Sequence, residues 1–345
     1  MKGGYRKSCV LYTVNPLFAV TKGGKMRIAV ADGSIADVAW INPVAKELEV
    51  ELIYGPVSTP EEVRKTTDGC EALLVSLQKM SPEIINAFAP TVKAIGRLGV
   101  GLDSINLDAA KEAKISTIYQ PGYAINEVSN HAVAMLLALN RGLLTANEMV
   151  KKDGWGSANL TGVIHSLQDA TVGVIGSGRI GQAAIAKIKP FVKKVIAYDL
   201  VKPLNVDGYE FTTDLESLVS QSQFITLHTP YLPSTHHIMN AERIALMPKG
   251  GILVNVSRGG LIDEAALAAA LNSGHLSAAG VDVFQIEPLP DDSPLRTAKN
   301  IILSPHTAWY SQSAAPRLVE WTIRDVVSCI KTNAVANGAF AVGPF

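Results

Sequence analysis

Three segments of this chain carry side chains suited to acid–base chemistry on a small anionic substrate. Asn255-Val-Ser-Arg258-Gly-Gly supplies a guanidinium, Gly280-Val-Asp282-Val-Phe-Gln-Ile-Glu287-Pro two carboxylates, and Ser304-Pro-His306-Thr-Ala-Trp309 an imidazole. A guanidinium grips a carboxylate through two parallel hydrogen bonds. An imidazole takes a hydroxyl proton as hydride leaves the adjoining carbon, and returns it in the reverse reaction. A carboxylate beside that imidazole fixes the ring and favours its charged form. Taken singly, each residue has a plain alternative: Arg258 a surface arginine, Glu287 a turn residue before Pro288, His306 a loop histidine. Of the other histidines, His131 sits inside a long helical segment and reads as structural, and His228 ends a strand-like run bordering a cofactor. His165, His236, His237 and His275 have no acid at useful spacing. What lifts the three segments above their alternatives is that each follows a strand-like run, where open α/β sheets bind ligands.

A second constellation points to the partner in such a reaction. Thr171-Val-Gly-Val-Ile-Gly176-Ser-Gly178-Arg179-Ile180-Gly181 is a Gly-x-Gly-x-x-Gly pattern that leaves a β-branched run and opens a helical one. Gly176 permits a tight turn, Gly178 lets the backbone approach a pyrophosphate, and Gly181 allows close helix–strand packing. The helix N-terminus at Arg179 and Ile180 adds free amides and partial positive charge. Eighteen residues beyond Gly181, Asp199 ends the next strand-like run. A carboxylate there accepts from adenosine ribose hydroxyls and repels a 2′-phosphate, so the expected cofactor is NAD rather than NADP.

These groups need a scaffold to bring them together. From Met26, strand-like runs at 27–31, 49–54, 72–76, 94–98 and 115–119 alternate with helical segments such as 82–88 and 107–113. Alternation of this kind means a parallel sheet covered on both faces. Turn residues at Gln120-Pro121-Gly122 break the rhythm, and one long helix is expected over 127–149. A second series follows, with strands at 171–175, 194–198, 224–228, 251–256, 278–283 and 301–303, and helices starting near Arg179, Asp214, Asn240 and Asp263. Six such strands make a full doubly wound dinucleotide fold. The last helical stretch, 314–331, has no strand to feed and is expected to pack back on the first unit.

Composition narrows the partners. Thirty-one basic residues balance thirty-one acidic ones, so no overall field draws the chain to nucleic acid or an anionic membrane. No apolar run reaches the length of a membrane span. The three cysteines lie far apart without metal-ligand spacing, which fits a reducing, cytoplasmic setting. Residues 1–25 are basic, lack acidic residues and contain Asn15-Pro16, and they read as a leader or disordered extension.

Over 26–331 the sequence resembles the NAD-dependent, D-isomer-specific 2-hydroxyacid dehydrogenase family. That family's spacing of Arg, then Glu 29 residues on, then His 19 further, is met by Arg258, Glu287 and His306. The resemblance implies two doubly wound α/β domains: a Rossmann cofactor domain, 126–308, inserted into a discontinuous flavodoxin-like substrate domain, 26–125 plus 309–345. It further implies a cleft that closes, a homodimer, and a small 2-keto or D-2-hydroxy acid as substrate. Arg258 becomes the carboxylate anchor, His306 the acid/base and Glu287 its partner. Asp282 would face the nicotinamide amide, while Thr229, Pro230, Val256 and Ser257 line the cofactor. The run Arg97-Leu-Gly-Val100-Gly101-Leu-Asp103 is similar to the family's substrate loop, whose backbone amides hold the substrate carboxylate.

His306-Thr-Ala-Trp309-Tyr310-Ser311 is similar to the C-terminal-binding proteins, transcriptional corepressors on the same scaffold. There a tryptophan borders the substrate pocket and an arginine like Arg97 contacts substrate. Trp309 then either biases the pocket toward a hydrophobic or thioether keto acid, or is a hinge or core residue. Two departures stand out. Ser129-Asn130-His131 replaces a common Ala-Glu-His, and Val75-Ser76-Leu77-Gln78-Lys79 lacks the basic residue of phosphoglycerate-type members. The expectation is therefore no phosphate pocket, with Gln78 turned into the cleft. Two functions stay open: an oxidoreductase working with NADH, and an NAD(H)-sensing interaction scaffold on the same fold. An NADP-linked glyoxylate or hydroxypyruvate reductase is a third, against which Asp199 speaks.

Overall fold

The computed structural model describes residues 25–33, 38–156, 163–204 and 206–345. The expected leader lies outside these residues except for Lys25. The first series of elements runs β1 (Arg27–Ala31), α1 (Val38–Glu47), β2 (Glu51–Gly55), α2 (Pro60–Thr66), β3 (Ala72–Val75), α3 (Pro82–Asn86), β4 (Ala94–Arg97), α4 (Leu107–Glu112) and β5 (Ser116–Tyr119). Its strands lie parallel in the order β2-β1-β3-β4-β5. Alternate residues of β1 enter different cores, Ile28 and Val30 one and Ala29 and Ala31 the other, because side chains on a strand point to opposite faces. Two-sided burial is why these strands read as unbroken apolar runs.

Two helices follow, α5 (Ile125–Asn140) and α6 (Leu143–Asp153). The single helix expected over 127–149 is thus broken at Arg141-Gly142. Gly142 adopts φ +57°, a left-handed conformation that glycine takes without steric cost and that ends helical propagation. None of the side chains of α6 is buried, so apolar content at Leu143, Leu144 and Val150 extended the apparent helix without anchoring it.

The second series comprises β6 (Thr171–Ile175), α7 (Arg179–Ile188), β7 (Lys194–Tyr198), β8 (Glu210–Thr212), α8 (Leu215–Gln221), β9 (Phe224–Leu227), α9 (Ala241–Leu246), β10 (Gly251–Asn255), α10 (Glu264–Ser273), β11 (Leu276–Val281) and β12 (Ile301–Leu303). Asp214, Asn240 and Asp263 cap α8, α9 and α10, their side chains accepting from backbone amides three residues on. The sheet order is β12-β11-β10-β9-β6-β7-β8, the doubly wound arrangement with its switch point between β6 and β9. It has seven strands where six were expected. The extra one, β8, is a three-residue edge strand with no fully buried residue, too short to leave a periodic signal.

The chain then returns to the first sheet through α11 (Ala314–Thr332) and β13 (Ala339–Val342). Apolar residues of α11, including Leu318, Val319 and Ile323, share a core with α1 and β1. Strand β13, absent from the sequence expectation, pairs antiparallel with β5. Its approach is fixed by the buried Asp325 carboxylate, which accepts from the amides of Ala336, Asn337 and Gly338 at 2.9, 3.1 and 2.6 Å. That contact links residues 11 to 13 positions apart, beyond the reach of helical or strand periodicity. The architecture is two α/β domains built on mainly parallel sheets. No helix among the described residues is long and apolar enough to cross a membrane.

Candidate active site

A cleft of about 1220 Å³ opens at the carboxyl ends of both sheets. On the second sheet its wall begins at the glycine turn after β6. Gly176 has φ +96°, and a Cβ there would lie 2.5–2.6 Å from the backbone of His228 and Thr229. Only glycine lets these two strand ends approach so closely. A Cβ at Gly181 would lie 2.0 Å from the Gly176 carbonyl oxygen, whereas one at Gly178 would meet nothing within 4 Å. Gly178 is the N-cap of α7 and supplies no capping side chain, which leaves the first amides of that helix directed at open space. Asp199, just past β7, braces the turn: its Oδ2 accepts from the Ser177 amide at 2.8 Å and the Ser177 hydroxyl at 3.2 Å. Gly178, Arg179 and Ile180 line the cleft, while Gly176, Gly181 and Asp199 support them from behind. An open cradle at a helix N-terminus with a carboxylate at the next strand end fits a dinucleotide.

His228 lies beneath this turn, half-buried on the cleft wall, and desolvation lowers its pKa to about 4. Thr229, Pro230, Val256 and Ser257 line the same wall. The Ser257 hydroxyl donates to the Leu227 carbonyl at 2.8 Å, and the buried Asn255 amide donates to the Arg258 carbonyl at 2.8 Å. These bonds fix the turn that projects Arg258.

Arg258 reaches across the cleft. Its Nε donates to Asp103 Oδ1 at 2.9 Å and its Nη1 to the Ser257 carbonyl at 2.8 Å. Burial alone would raise the Asp103 pKa, but the Arg258 charge and hydrogen bond outweigh it and hold the carboxyl low. A Cβ at Gly101 would lie 1.4 Å from Arg258 Nη2, so the substrate loop passes Arg258 with no room for a side chain. On the other side of that loop lies Arg97, only 5% exposed. Its Nε donates to the Gly101 carbonyl at 2.8 Å, and its Nη1 donates to the Leu98 carbonyl. Burial, reinforced by the nearby Arg258 charge, lowers its pKa to about 10.

His306 and Glu287 face each other at the end of the second sheet, with His306 Nδ1 2.8 Å from Glu287 Oε2. Glu287 Oε1 accepts from the Phe284 amide at 3.0 Å. Burial opposes ionisation of Glu287, but its bond to His306, the His306 and Arg258 charges and the Phe284 amide together depress its pKa. Nδ1 being engaged, Nε2 of His306 is the ring nitrogen left for a ligand. His306 itself adopts φ +52°, uncommon for a residue with a Cβ.

Asp282 is wholly buried. Its carboxylate accepts from the Ser304 hydroxyl and from the Thr307 and Ala308 amides at 3.0 and 2.9 Å. Its carbonyl accepts from the His306 amide at 2.7 Å. Asp282 borders the cleft, yet these bonds show its carboxylate shaping the His306 turn.

Of the residues singled out in the sequence, Arg97, Val100, Gly101 and Trp309 line the cleft. Gln78 does not, which corrects the expectation that it faces inward. Its Oε1 accepts from the Ser76 amide at 2.7 Å and its Nε2 donates to the Asp32 carbonyl at 2.8 Å, so both ends of the amide are satisfied by backbone. Leu77 takes the cleft position and is 54% exposed. Trp309 both lines the cleft and packs on the first domain's core, its ring centroid 6.2 Å from that of Tyr123. Tyr123, buried and on the cleft wall, escaped sequence reading, as did the pairing role of Asp103. An acid two residues past a glycine in the substrate loop was the available signal for Asp103; for Tyr123 there was none.

The NAD-binding domain of the D-isomer-specific 2-hydroxyacid dehydrogenases matches residues 133–308, half of the chain. The chain belongs to the D-isomer-specific 2-hydroxyacid dehydrogenase family. It is 38% identical over 286 residues to a D-3-phosphoglycerate dehydrogenase of Methanocaldococcus jannaschii, covering 81% of this chain and 53% of that protein. It therefore spans about half the length of that relative. It is also 38% identical over 261 residues to a hydroxypyruvate reductase of Thermotoga maritima, covering 75% of this chain and 84% of the relative. Among solved structures, a D-lactate dehydrogenase from Aquifex aeolicus complexed with NAD and lactic acid superposes with a TM-score of 0.80 at 30% identity, covering 92% of this chain and all of the other. In family terms, the glycine turn and Asp199 belong to the NAD-binding domain, and the Arg97–Asp103 loop lies on the separate domain that faces it.

Proposed function

We propose that this chain is an NAD-dependent oxidoreductase that interconverts a 2-keto acid and its D-2-hydroxy acid. The observation that carries the reading is the 2.8 Å His306–Glu287 pair sharing one cleft with Arg258 and an open glycine cradle. The bound nicotinamide supplies or accepts a hydride at substrate C2. The chain's own residues do the rest. Arg258 Nη2 and the backbone of Val100 and Gly101 hold the substrate carboxylate, with Arg97 adding positive potential from behind. His306 Nε2 gives a proton to the C2 oxygen in reduction and takes it back in oxidation. Glu287 steadies the ring, and the bond to His306, with the Phe284 amide and the Arg258 charge behind it, outweighs burial and holds the Glu287 pKa low. Asp199 sets a preference for NAD over NADP.

The acyl side of the substrate points to an apolar group. Leu77, Val100, Tyr123 and Trp309 line the cleft, and two of its arginines are tied to the chain itself: Arg97 to the Gly101 and Leu98 carbonyls, and Arg296 to Leu289, Pro290 and Asp291. The functional unit is a cytoplasmic homodimer, with residues 26–125 and 309–345 forming the substrate domain around 126–308. The dimer contact uses the uncovered apolar face near α6, where Leu143, Leu144, Val150, Trp155 and Val163 are exposed. Buried, unpaired Cys70 and Cys329 suit a reducing compartment.

The test is NADH oxidation with a panel of 2-keto acids: glyoxylate, hydroxypyruvate, pyruvate, phenylpyruvate, a thioether keto acid and a phosphorylated one. Turnover strongest with the apolar members is expected. Tight NADH binding with no turnover of any member would overturn the enzyme in favour of an NAD(H)-sensing scaffold.

A further inference from the structure

The left-handed turn at His306 is held by a hydrogen-bond relay that starts on a different element. Three consecutive amides of the turn end on one residue: His306 on the Asp282 carbonyl, Thr307 and Ala308 on the Asp282 carboxylate. The Ser304 hydroxyl joins them on Asp282 Oδ1. Behind Ser304 stands His131 of α5, with Nε2 3.0 Å from Ser304 Oγ and 3.7 Å from Asp282 Oδ1. A hydroxyl has one proton. Ser304 gives its proton to the carboxylate, so its oxygen accepts from His131, which settles the ring with hydrogen on Nε2. Among the described residues His131 is the sole charge-capable partner within 4 Å of the Asp282 carboxylate. No lysine or arginine does this work.

We propose that His131 is a positioning residue for the reaction: acting through Ser304 and Asp282, it fixes the aspartate orientation that holds His306 in its left-handed turn. Among the described residues, the polar partners of the His131 ring are Ser304 and Asp282, and those of the His306 ring and the Glu287 carboxylate lie on other residues. Left-handed backbone at a residue with a Cβ is strained and persists only when surrounding bonds over-determine it. Three bonds to a single residue do that here, provided the residue itself cannot rotate. The Ser304 bond fixes one carboxylate oxygen, and His131 fixes Ser304. Helix α5 packs on α7, β10 and β11, so the anchor of the His306 turn moves with the frame that carries the glycine cradle and Arg258. The acid/base nitrogen and the cofactor site are thereby held in one register.

The proposal rests on the dehydrogenase reading above, and the experiment separates the two. His131→Phe keeps a ring and loses the donor; His131→Gln keeps an N–H donor of similar reach. With the best keto acid of the panel, kcat of His131→Phe is expected to fall about tenfold while the keto acid KM and NADH binding stay within about twofold. His131→Gln is expected to recover most of the loss. Ser304→Ala added to His131→Phe produces little further decrease, because both break the same relay. His306 ring signals in nitrogen-labelled protein, recorded without substrate, shift in His131→Phe and return to their wild-type positions in His131→Gln. Wild-type kcat together with unshifted His306 signals in His131→Phe overturns the proposal, as does a glutamine variant no better than the phenylalanine one. A wild-type protein that reduces no keto acid sinks the reaction instead, and the ring signals still decide whether His131 sets the turn.

Discussion

The two sheets contribute to the cleft in different ways. On the second, the glycine turn, Arg258, Asp282, Glu287 and His306 all follow strands of one sheet, and His306 is bonded to both Glu287 and Asp282 within that domain. On the first, the Arg97–Asp103 loop is a single glycine-rich excursion whose side-chain tie to the second domain is the Asp103–Arg258 pair. The His306–Glu287 pair lies within one domain, whereas the Asp103–Arg258 pair joins two. Under the proposed function, proton transfer would be handled on a single scaffold, where little misplacement is tolerated, and the substrate anion would be held by a split grip between the domains.

This contrast makes graded predictions. The largest effect is expected for His306→Asn, which removes the acid/base: keto acid reduction should fall by about 10³-fold, with NADH affinity and thermal midpoint near wild type. A variant retaining even a tenth of the activity would break the assignment. Arg258→Ala comes next. It should raise the keto acid KM by about 100-fold, in line with ~2–3 kcal/mol for a charge-assisted contact from Nη2, while NADH binding is preserved. Loss of both affinities would mean that the two halves of the cleft are not separable.

Glu287→Gln should reduce turnover by about tenfold at neutral pH, since a neutral amide no longer holds the His306 ring through a charge-assisted bond to Nδ1. The same residue predicts a stability effect. The pKa of Glu287 is depressed in the folded chain, so its stabilisation is complete above the ordinary carboxylate range and is lost as pH falls through its lowered folded value. Thermal midpoints of wild type and Glu287→Gln should therefore converge on acidification. A gap that widens toward low pH would contradict the sign. Asp103→Asn is expected to be smallest, about five-fold in kcat/KM, because the partly exposed pair it weakens is worth ~1 kcal/mol. If its effect exceeded that of Arg258→Ala, the split-grip picture would fail.

Much of the molecule was legible before folding. The glycine turn, the acid after β7 and the capping residues of α8, α9 and α10 are local features, set by steric limits and backbone hydrogen bonding over a few residues. The strands of both sheets other than β8 and β13 were visible, because burial on two faces leaves continuous apolar runs in the inner ones. Arg258, Glu287 and His306 were found by type and spacing because each follows a strand.

Other features were decided only by tertiary contact. Gln78 closes on Ser76 and Asp32 and hands the cleft to Leu77, a choice between two hydrogen-bonding neighbourhoods that spacing does not record. Tyr123 meets Trp309 across 186 positions of sequence. Asp103 acquires its role by meeting Arg258, and His131, which reads from the sequence as a helix-interior residue, lies against Ser304 and Asp282. The sequence by itself determined most of the elements and the cofactor turn, because those depend on short-range sterics and patterning. The short edge strands β8 and β13, the walls of the cleft and the contacts around His131 were settled by long-range packing, which brings together positions that no local rule connects.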